Sequence, residues 1–388
     1  MNPYAWIDEE LASLAERDLL RELPAPVDPQ SPTIQRDDRP LVNFASNDYL
    51  GLAADPRLIA AAVEACKTTG VGRGAAPLVC GRSTYHEQLE RRLAEFEDAE
   101  AVLLFPSGFA ANAGIIPALV DRGDAIFADA HNHASLIDGC RLARAETHIY
   151  PHGDVNALEA LLQSSKNVRR RLIVTDTLFS MDGDVAPLSE IADLARRYEA
   201  MLLLDEAHAT GVFGPHGRGL AEASGLAEHA AIRIGTLSKA LGSAGGFVCG
   251  SRTLISWLAN RARTYVFSTA QPAAAAAAAL AALDVVAAEP ARRVELLQTA
   301  ADLRRRLADR GWNIGRSTSQ IIPLIVGAPA DALALSQALR ERGFWVPAIR
   351  PPSVPENGAL LRLSLTAAHT PEMLAGLLAA LDELSTHT

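Results

Sequence analysis

The sequence predicts an α/β protein with a mostly parallel central sheet, helices on both faces, and a smaller C-terminal α+β domain. Three observations carry this expectation. Short apolar runs of strand length alternate with longer segments of helical period through the middle of the chain. Polar clusters stand just past the ends of those runs, where open parallel sheets bind ligands. After Glu289-Pro290 the pattern changes to helix, strand, helix, strand.

The elements follow in order. Residues 1–45, with PAPVDPQSP in their middle, are too short and Pro-rich for a domain and read as a segment that packs on the rest. Residues 46–288 form the large domain. Its strands are AVLLF (Ala101 to Phe105), AIFAD (Ala125 to Asp129), RLIVTD (Arg171 to Asp176), MLLLD (Met201 to Asp205), AIRIGT (Ala231 to Thr236) and GFVCG (Gly246 to Gly250). STYHEQLERRLAEFE and PLSEIADLARRYE carry helical period between them, and QPAAAAAAALAAL places Pro272 where a first helical turn tolerates it. Residues 289–388 form the small domain: VELLQTAADLRRRLADRG, IIPLIVG, DALALSQALRERG, WVPAIRPPSVP and LLRLSLTAAH. Five polar clusters, SGFAAN, HNHAS, SMDGD, EAH and LSK, then leave strand ends on one side of the sheet.

Composition narrows the function classes. Of 388 residues, 49% are hydrophobic and 21% charged, which suits a globular chain with a large core. The net charge of −10 opposes a nucleic-acid partner. The longest apolar stretch, Ala273 to Leu283, is mostly alanine and well short of the roughly 18 residues of a membrane span. The N-terminal MNPYAWIDEELASL is acidic and amphipathic, unlike a secretory signal, so a soluble cytoplasmic protein is expected. Four cysteines without metal-finger spacing read as reduced thiols.

LLLDEAH (Leu202 to His208) resembles the Mg²⁺-binding box of a nucleic-acid-dependent ATPase. That chemistry also needs GxxxxGK[ST], and none of the chain's three lysines, Lys67, Lys166 and Lys239, follows a glycine. GVGRGAA lacks the strand that a dinucleotide fingerprint requires. His131 and His133 of HNH lack a third and fourth ligand at metal spacing, so no metal site is expected.

Asp205, at the exit of a buried strand, needs a positive partner. A helix cap or a buried arginine would serve, and so would a protonated pyridine nitrogen, which the carboxylate would keep charged as an electron sink. His208 stands three residues on. Lys239 lies among small residues and hydroxyls in GTLSKALGSAGG rather than among surface charges, a setting that admits a planar group and lowers an amine's pKa. Thr236 and Ser238 offer hydroxyls to a phosphate. Ser107-Gly108-Phe109 offers backbone amides at a helix start.

Together these residues resemble the α-oxoamine synthases, a family of pyridoxal-phosphate (PLP) enzymes of fold type I. The resemblance runs in order through NFASNDYLGL, FPSGFAAN, HASL, FSMDGDVAPL, LLLDEAHATGVFGPHGRG, GTLSKALGSAGG and FSTAQP. It implies that Lys239 holds PLP covalently, that Asp205 pairs with the ring nitrogen, that His208 contacts the ring oxygen, and that His133 stacks on the ring. It further implies that Gly108, Phe109, Ser180 and Thr236 bind the cofactor, with Thr269 reaching a phosphate across a homodimer interface. Arg362 would take the substrate carboxylate, Arg21 would contact substrate, and Ser353 would face the acyl chain. AIRPPSVP followed by LRLSLTAAH resembles the branch of the family that joins L-alanine to a pimeloyl thioester, and that resemblance implies these substrates, on CoA or an acyl carrier protein. Ser353 stands where threonine is usual, and keeps the hydroxyl. A sister synthase using glycine and acetyl-CoA, and a non-catalytic partner subunit of the same fold, remain open at this level.

Overall fold

The computed structural model describes residues 2–23, 27, 30–36, 39–165, 167–226 and 232–385. Lys166, Ala231 and much of the Pro-rich stretch 24–32 lie outside the described residues. The chain divides into two compact units, one of residues 48–180 and 184–295, the other of residues 1–47, 181–183 and 296–388.

The first unit is built on seven strands: β1 (Ala101–Phe105), β2 (Ala125–Asp129), β3 (Glu146–Tyr150), β4 (Arg171–Asp176), β5 (Met201–Asp205), β6 (Ile232–Thr236) and β7 (Gly246–Gly250). They lie in the order β1-β7-β6-β5-β4-β2-β3. All neighbours are parallel except β7, which runs antiparallel to both β1 and β6. Every residue of β2 and β6 is buried, the result of helical cover on both faces of the sheet; β2 therefore reads as an apolar run up to Asp129, whereas β6 also buries Arg233 against Glu97 at 3.6 Å. β3, ETHIY, is the edge strand, and most of its positions are exposed or half-buried.

Helices α1 (Gly108–Leu119) and α2 (Ala134–Leu142) cover one face. Ile115, Ile116, Leu119, Leu136 and Cys140 pack on Leu103, Ile126, Leu172, Val174, Leu203 and Val248. Each fully buried leucine or isoleucine here contributes about 1.5–3 kcal/mol. The helices approach closely because α2 carries Gly139, where a Cβ would lie 2.8 Å from the Asn112 carbonyl oxygen. Apart from the exposed Asp284, which pairs with Arg92, the alanine helix α3 (Ala273–Ala288) is apolar and largely buried, as its composition demands. Pro272 caps it from outside and is not part of its first turn.

The second unit holds two small sheets. Thr33–Arg36 pairs antiparallel with Arg39–Asn43, which Phe344–Trp345 joins in parallel. Ile321–Gly327 pairs antiparallel with Ala359–Ser364, which takes Ala348–Ile349 on its other side. WVPAIRPPSVP thus supplies only two-residue strands. His369 stacks on Phe44 at 4.4 Å and bonds the Asn43 carbonyl at 3.0 Å. Burial pushes its imidazole down to about 4, so it sits neutral in the core. No single helix among the described residues is long and apolar enough to cross a membrane.

Candidate active site

Strand register sets the site in the first unit. Phe105 and Thr236 both pair with Gly246, Ile234 pairs with Asp205, and Asp205 pairs with Asp176. The exits of β1, β6, β5 and β4 therefore stand side by side, and the exit of β2 lies next to that of β4. Because β7 runs backwards, it contributes its first residue to this edge. That residue must be glycine, since a Cβ on Gly246 would fall 2.5 Å from the Gly108 nitrogen at the start of α1.

Asp205 is buried, and both its oxygens accept N–H donors. The Ala207 amide donates to Oδ1 at 2.8 Å, and Asn112 Nδ2 donates to Oδ2 at 2.6 Å. Asn112 Nδ2 also reaches Ser135 Oγ at 2.9 Å, and Ser135 Oγ meets His133 Nδ1 at 2.7 Å. A continuous hydrogen-bonded chain thus joins two expected site residues from different strand exits. The His133 amide donates to Asp176 Oδ2 at 2.7 Å, which ties the exit of β2 to that of β4. Burial first, and then the neighbouring Asp205 charge, hold the Asp176 carboxyl well above the ordinary range. Burial, opposed by Asp205 and reinforced by Lys239, holds the His133 imidazole below its ordinary value.

Lys239 is half-buried beyond β6, and its Nζ lies 2.8 Å from His208 Nε2. His208 Nδ1 lies 2.6 Å from the Tyr49 hydroxyl. An ammonium donates to Nε2, which leaves Nδ1–H to donate to the phenol oxygen. Thr236 Oγ1, buried at the end of β6, bonds Ser238 Oγ at 2.8 Å and the Gly245 carbonyl at 2.9 Å. A Cβ on Gly108 would stand 3.6 Å from that Thr236 hydroxyl. The Ser107 side chain caps α1 by accepting from the Ala110 amide. The first-turn amides of Gly108 and Phe109 have no acceptor within the helix, as in any helix start.

Ser180 is half-buried beyond the Leu178–Val185 bridge, and Thr269 is exposed on the connection before α3. In the second unit, the buried Arg362 donates through Nη1 to Asn47 Oδ1 at 3.0 Å and to Ser364 Oγ at 2.8 Å. Arg21 is exposed and donates to the Pro351 carbonyl at 3.4 Å, two residues from the exposed Ser353. Arg350 bonds the carbonyls of Asp18 and Leu20, which fastens the Arg21 segment to the loop that carries Ser353.

Sequence reasoning passed over Asn112, Ser135, Tyr49, Asp176 and Asn47. Asn112, Ser135, Tyr49 and Asn47 lie inside FPSGFAAN, HASL and NFASNDYLGL, so the signal for them was their place within quoted motifs.

The family model described as aminotransferase class I and II matches residues 39–381. The chain belongs to this family. Among its relatives is a protein of Anaeromyxobacter dehalogenans named 8-amino-7-oxononanoate synthase. It is 53% identical over 377 residues, 97% of this chain and 94% of that one. Among solved structures, serine palmitoyltransferase from S. paucimobilis with bound PLP-myriocin superposes with a TM-score of 0.92 at 30% identity, covering 99% of this chain and 98% of that one. An 8-amino-7-oxononanoate synthase from Francisella tularensis gives 0.77 at 26% identity, covering 89% and 98%. The fold is that of the type I PLP enzymes, and PLP is the cofactor of this family member.

The residues of the first unit fit that cofactor. A phosphate suits the α1 amides beside the Thr236 and Ser238 hydroxyls, an aldehyde suits the Lys239 amine, and a protonated ring nitrogen suits a buried carboxylate whose oxygens are already fixed.

Proposed function

We propose that this PLP-dependent acyltransferase condenses L-alanine with a pimeloyl thioester, releasing CO2 and the free thiol and forming 8-amino-7-oxononanoate. The geometry that carries this is the Lys239 amine on His208, beside an Asp205 already bonded through Asn112 toward His133. The choice of substrates is supported by relatives about half identical over nearly the whole chain that bear that enzyme's name.

Bound PLP supplies an electron-withdrawing ring that stabilises negative charge at the alanine Cα. Lys239 would hold the cofactor through its amine, and its Nζ, when free, would take the α-proton of alanine. Asp205 would keep a proton on the ring nitrogen, and its two N–H donors hold the carboxylate in place. His208, held by the Tyr49 hydroxyl, would contact the ring oxygen. His133 would lie against the ring and bond the substrate carboxylate. Gly108, Phe109, Ser180, Thr236 and Thr269 hold the cofactor, Thr269 from a second copy of the chain. Phe109, Phe267, Leu78 and Val79 are exposed in the single chain and would be available to a second copy. The resemblance assigns the alanine carboxylate to Arg362, whose planar fork suits it, and the acyl donor to Arg21 and Ser353.

The test is a thiol-release assay that crosses alanine, glycine and serine with acetyl, succinyl, pimeloyl and palmitoyl thioesters, each on CoA and on a carrier protein. Alanine with pimeloyl thioester should give the highest kcat/KM. Preference for glycine with acetyl-CoA, or for serine with the palmitoyl thioester, would reassign the chain to a sister activity. Lys239→Ala should abolish release while alanine and cofactor still bind, and an active variant rejects the mechanism.

A further inference from the structure

We infer that Asp205 dictates the tautomer of His133 through Asn112 and Ser135, so that His133 stands neutral with its proton on Nε2 and faces substrate as a donor. The argument runs from atom to atom along the buried chain. A carboxylate only accepts hydrogen bonds, so the group that Asn112 turns toward Asp205 at 2.6 Å is its NH2. That orientation leaves Asn112 Oδ1 buried without a partner among the described residues. An orphaned acceptor is unfavourable, and the amide accepts this only because reversing it would set two acceptors against each other. The second hydrogen of the same NH2 goes to Ser135 Oγ at 2.9 Å. Ser135 Oγ therefore accepts from Asn112, and its single hydrogen is left for its other neighbour, His133 Nδ1, at 2.7 Å.

The Ser135 amide independently donates to that same Nδ1 at 3.2 Å, which makes His133 the side-chain cap of α2. With two donors aimed at it, Nδ1 holds a lone pair, and the ring's one proton resides on Nε2. The lowered pKa of His133, set first by burial and aided by Lys239 against Asp205, agrees with a neutral ring. Asn112 and Ser135 are each about 1% exposed, so water does not compete along the relay. The close packing of α1 and α2 at Gly139 fixes their separation.

Asn112 and Ser135 are thus positioning residues that act through His133. The chemical consequence rests on the proposed stacking of His133 over the cofactor. There its Nε2–H donates to the substrate carboxylate or to the thioester carbonyl and, already carrying a proton, cannot accept the α-proton, which leaves that proton to Lys239. The aspartate that holds the ring nitrogen's proton would also set the donor on the ring's face.

The experiment is ¹⁵N NMR of histidine-labelled holoenzyme between pH 6 and 8, with His133 assigned by its loss in His133→Asn. The expected spectrum has unprotonated Nδ1 and protonated Nε2. Ser135→Ala and Asn112→Leu should each raise the Nδ1–H to Nε2–H ratio about fivefold, the weight of one hydrogen bond, and Ser135→Thr should restore it. An imidazolium or an Nδ1–H ring in the wild type at pH 7 overturns the inference. So does an unchanged ratio in Ser135→Ala, and the wild-type spectrum decides alone if Asn112→Leu does not fold. Loss of the proposed condensation activity with these spectra intact would overturn the function and leave the relay standing.

Discussion

His152 gives the sharpest test of how the strand exits are held. Its Nδ1 lies 2.9 Å from Asp129 Oδ1 and its Nε2 lies 3.0 Å from Asp184 Oδ2. The ring lies flat on His131 at 4.2 Å and meets Phe179 edge-on. Both nitrogens can donate only when the ring is charged. Burial pushes the imidazole down, but the bonds and charges of Asp129 and Asp184 push it up harder, to about 9 from the ordinary 6.5. A folded pKa above the unfolded one contributes stability that is fully present below about 6.5 and lost as pH rises through about 9. The full shift corresponds to about 3 kcal/mol, and partial solvent access reduces the expectation to about 2 kcal/mol. Urea titration of wild type and His152→Gln at pH 6 and pH 10 measures it. The wild type should be the more stable at pH 6, and the gap should narrow by about 2 kcal/mol at pH 10. An equal gap at both values would refute a charged His152. Asp129 also accepts the amides of His131 and Gly153, so the same clamp holds the loop that leads to His133.

Other expectations follow from single bonds. Asp205→Asn keeps the shape but removes the charge, and kcat for thiol release should fall about 10²- to 10³-fold while the cofactor still binds, as seen in its visible absorbance. Arg362→Lys keeps the charge but loses the planar fork, so KM for alanine should rise about tenfold in steady-state assays. Glu206 accepts the amides of Leu220 and Ala221 and the Thr177 hydroxyl, and Glu206→Ala should cost about 3 kcal/mol in denaturant titration by stranding those donors.

How much was legible depended on how local each signal was. β2, β4 and β5 announce themselves as apolar runs because both faces of a parallel sheet are covered. β3 was missed because ETHIY sits at the sheet edge, where solvent permits Glu146, Thr147 and His148, and no apolar run forms. Lys239 stood out because a lysine among small residues is unusual and the chain has few lysines. Asn112 and Ser135 did not, since an asparagine inside a helix and a serine near a helix start are ordinary. Only the approach of α1 to α2 makes them a path between His133 and Asp205. Arg21 and Ser353 are 332 residues apart, and the Arg350 bonds that draw their segments together carry no sequence pattern.

The pair Asp205-Glu206 explains why an ATPase-like string appears in a chain with no phosphate loop. Successive residues leaving a strand point to opposite sides. Asp205 turns toward α1 and the Asn112 amide, while Glu206 turns the other way and receives the amides that open the short helix Leu220–Ala223. A Cβ on Gly219 would lie 2.5 Å from Glu206 Oε2, so the glycine that closes HGRG is what lets the chain return over the acid. Burial holds the Glu206 carboxyl above its ordinary range, against the pull of those amides. Adjacent acids thus occupy separate environments, Asp205 on the hydrogen-bonded chain that leads to His133 and Glu206 in the turn that opens the short helix. A protein that delivered both to one metal ion would lose turnover equally from either change. Here Asp205→Asn should reduce turnover in a protein that still folds and binds the cofactor, and Glu206→Ala should unfold the exit of β5 before it alters the chemistry.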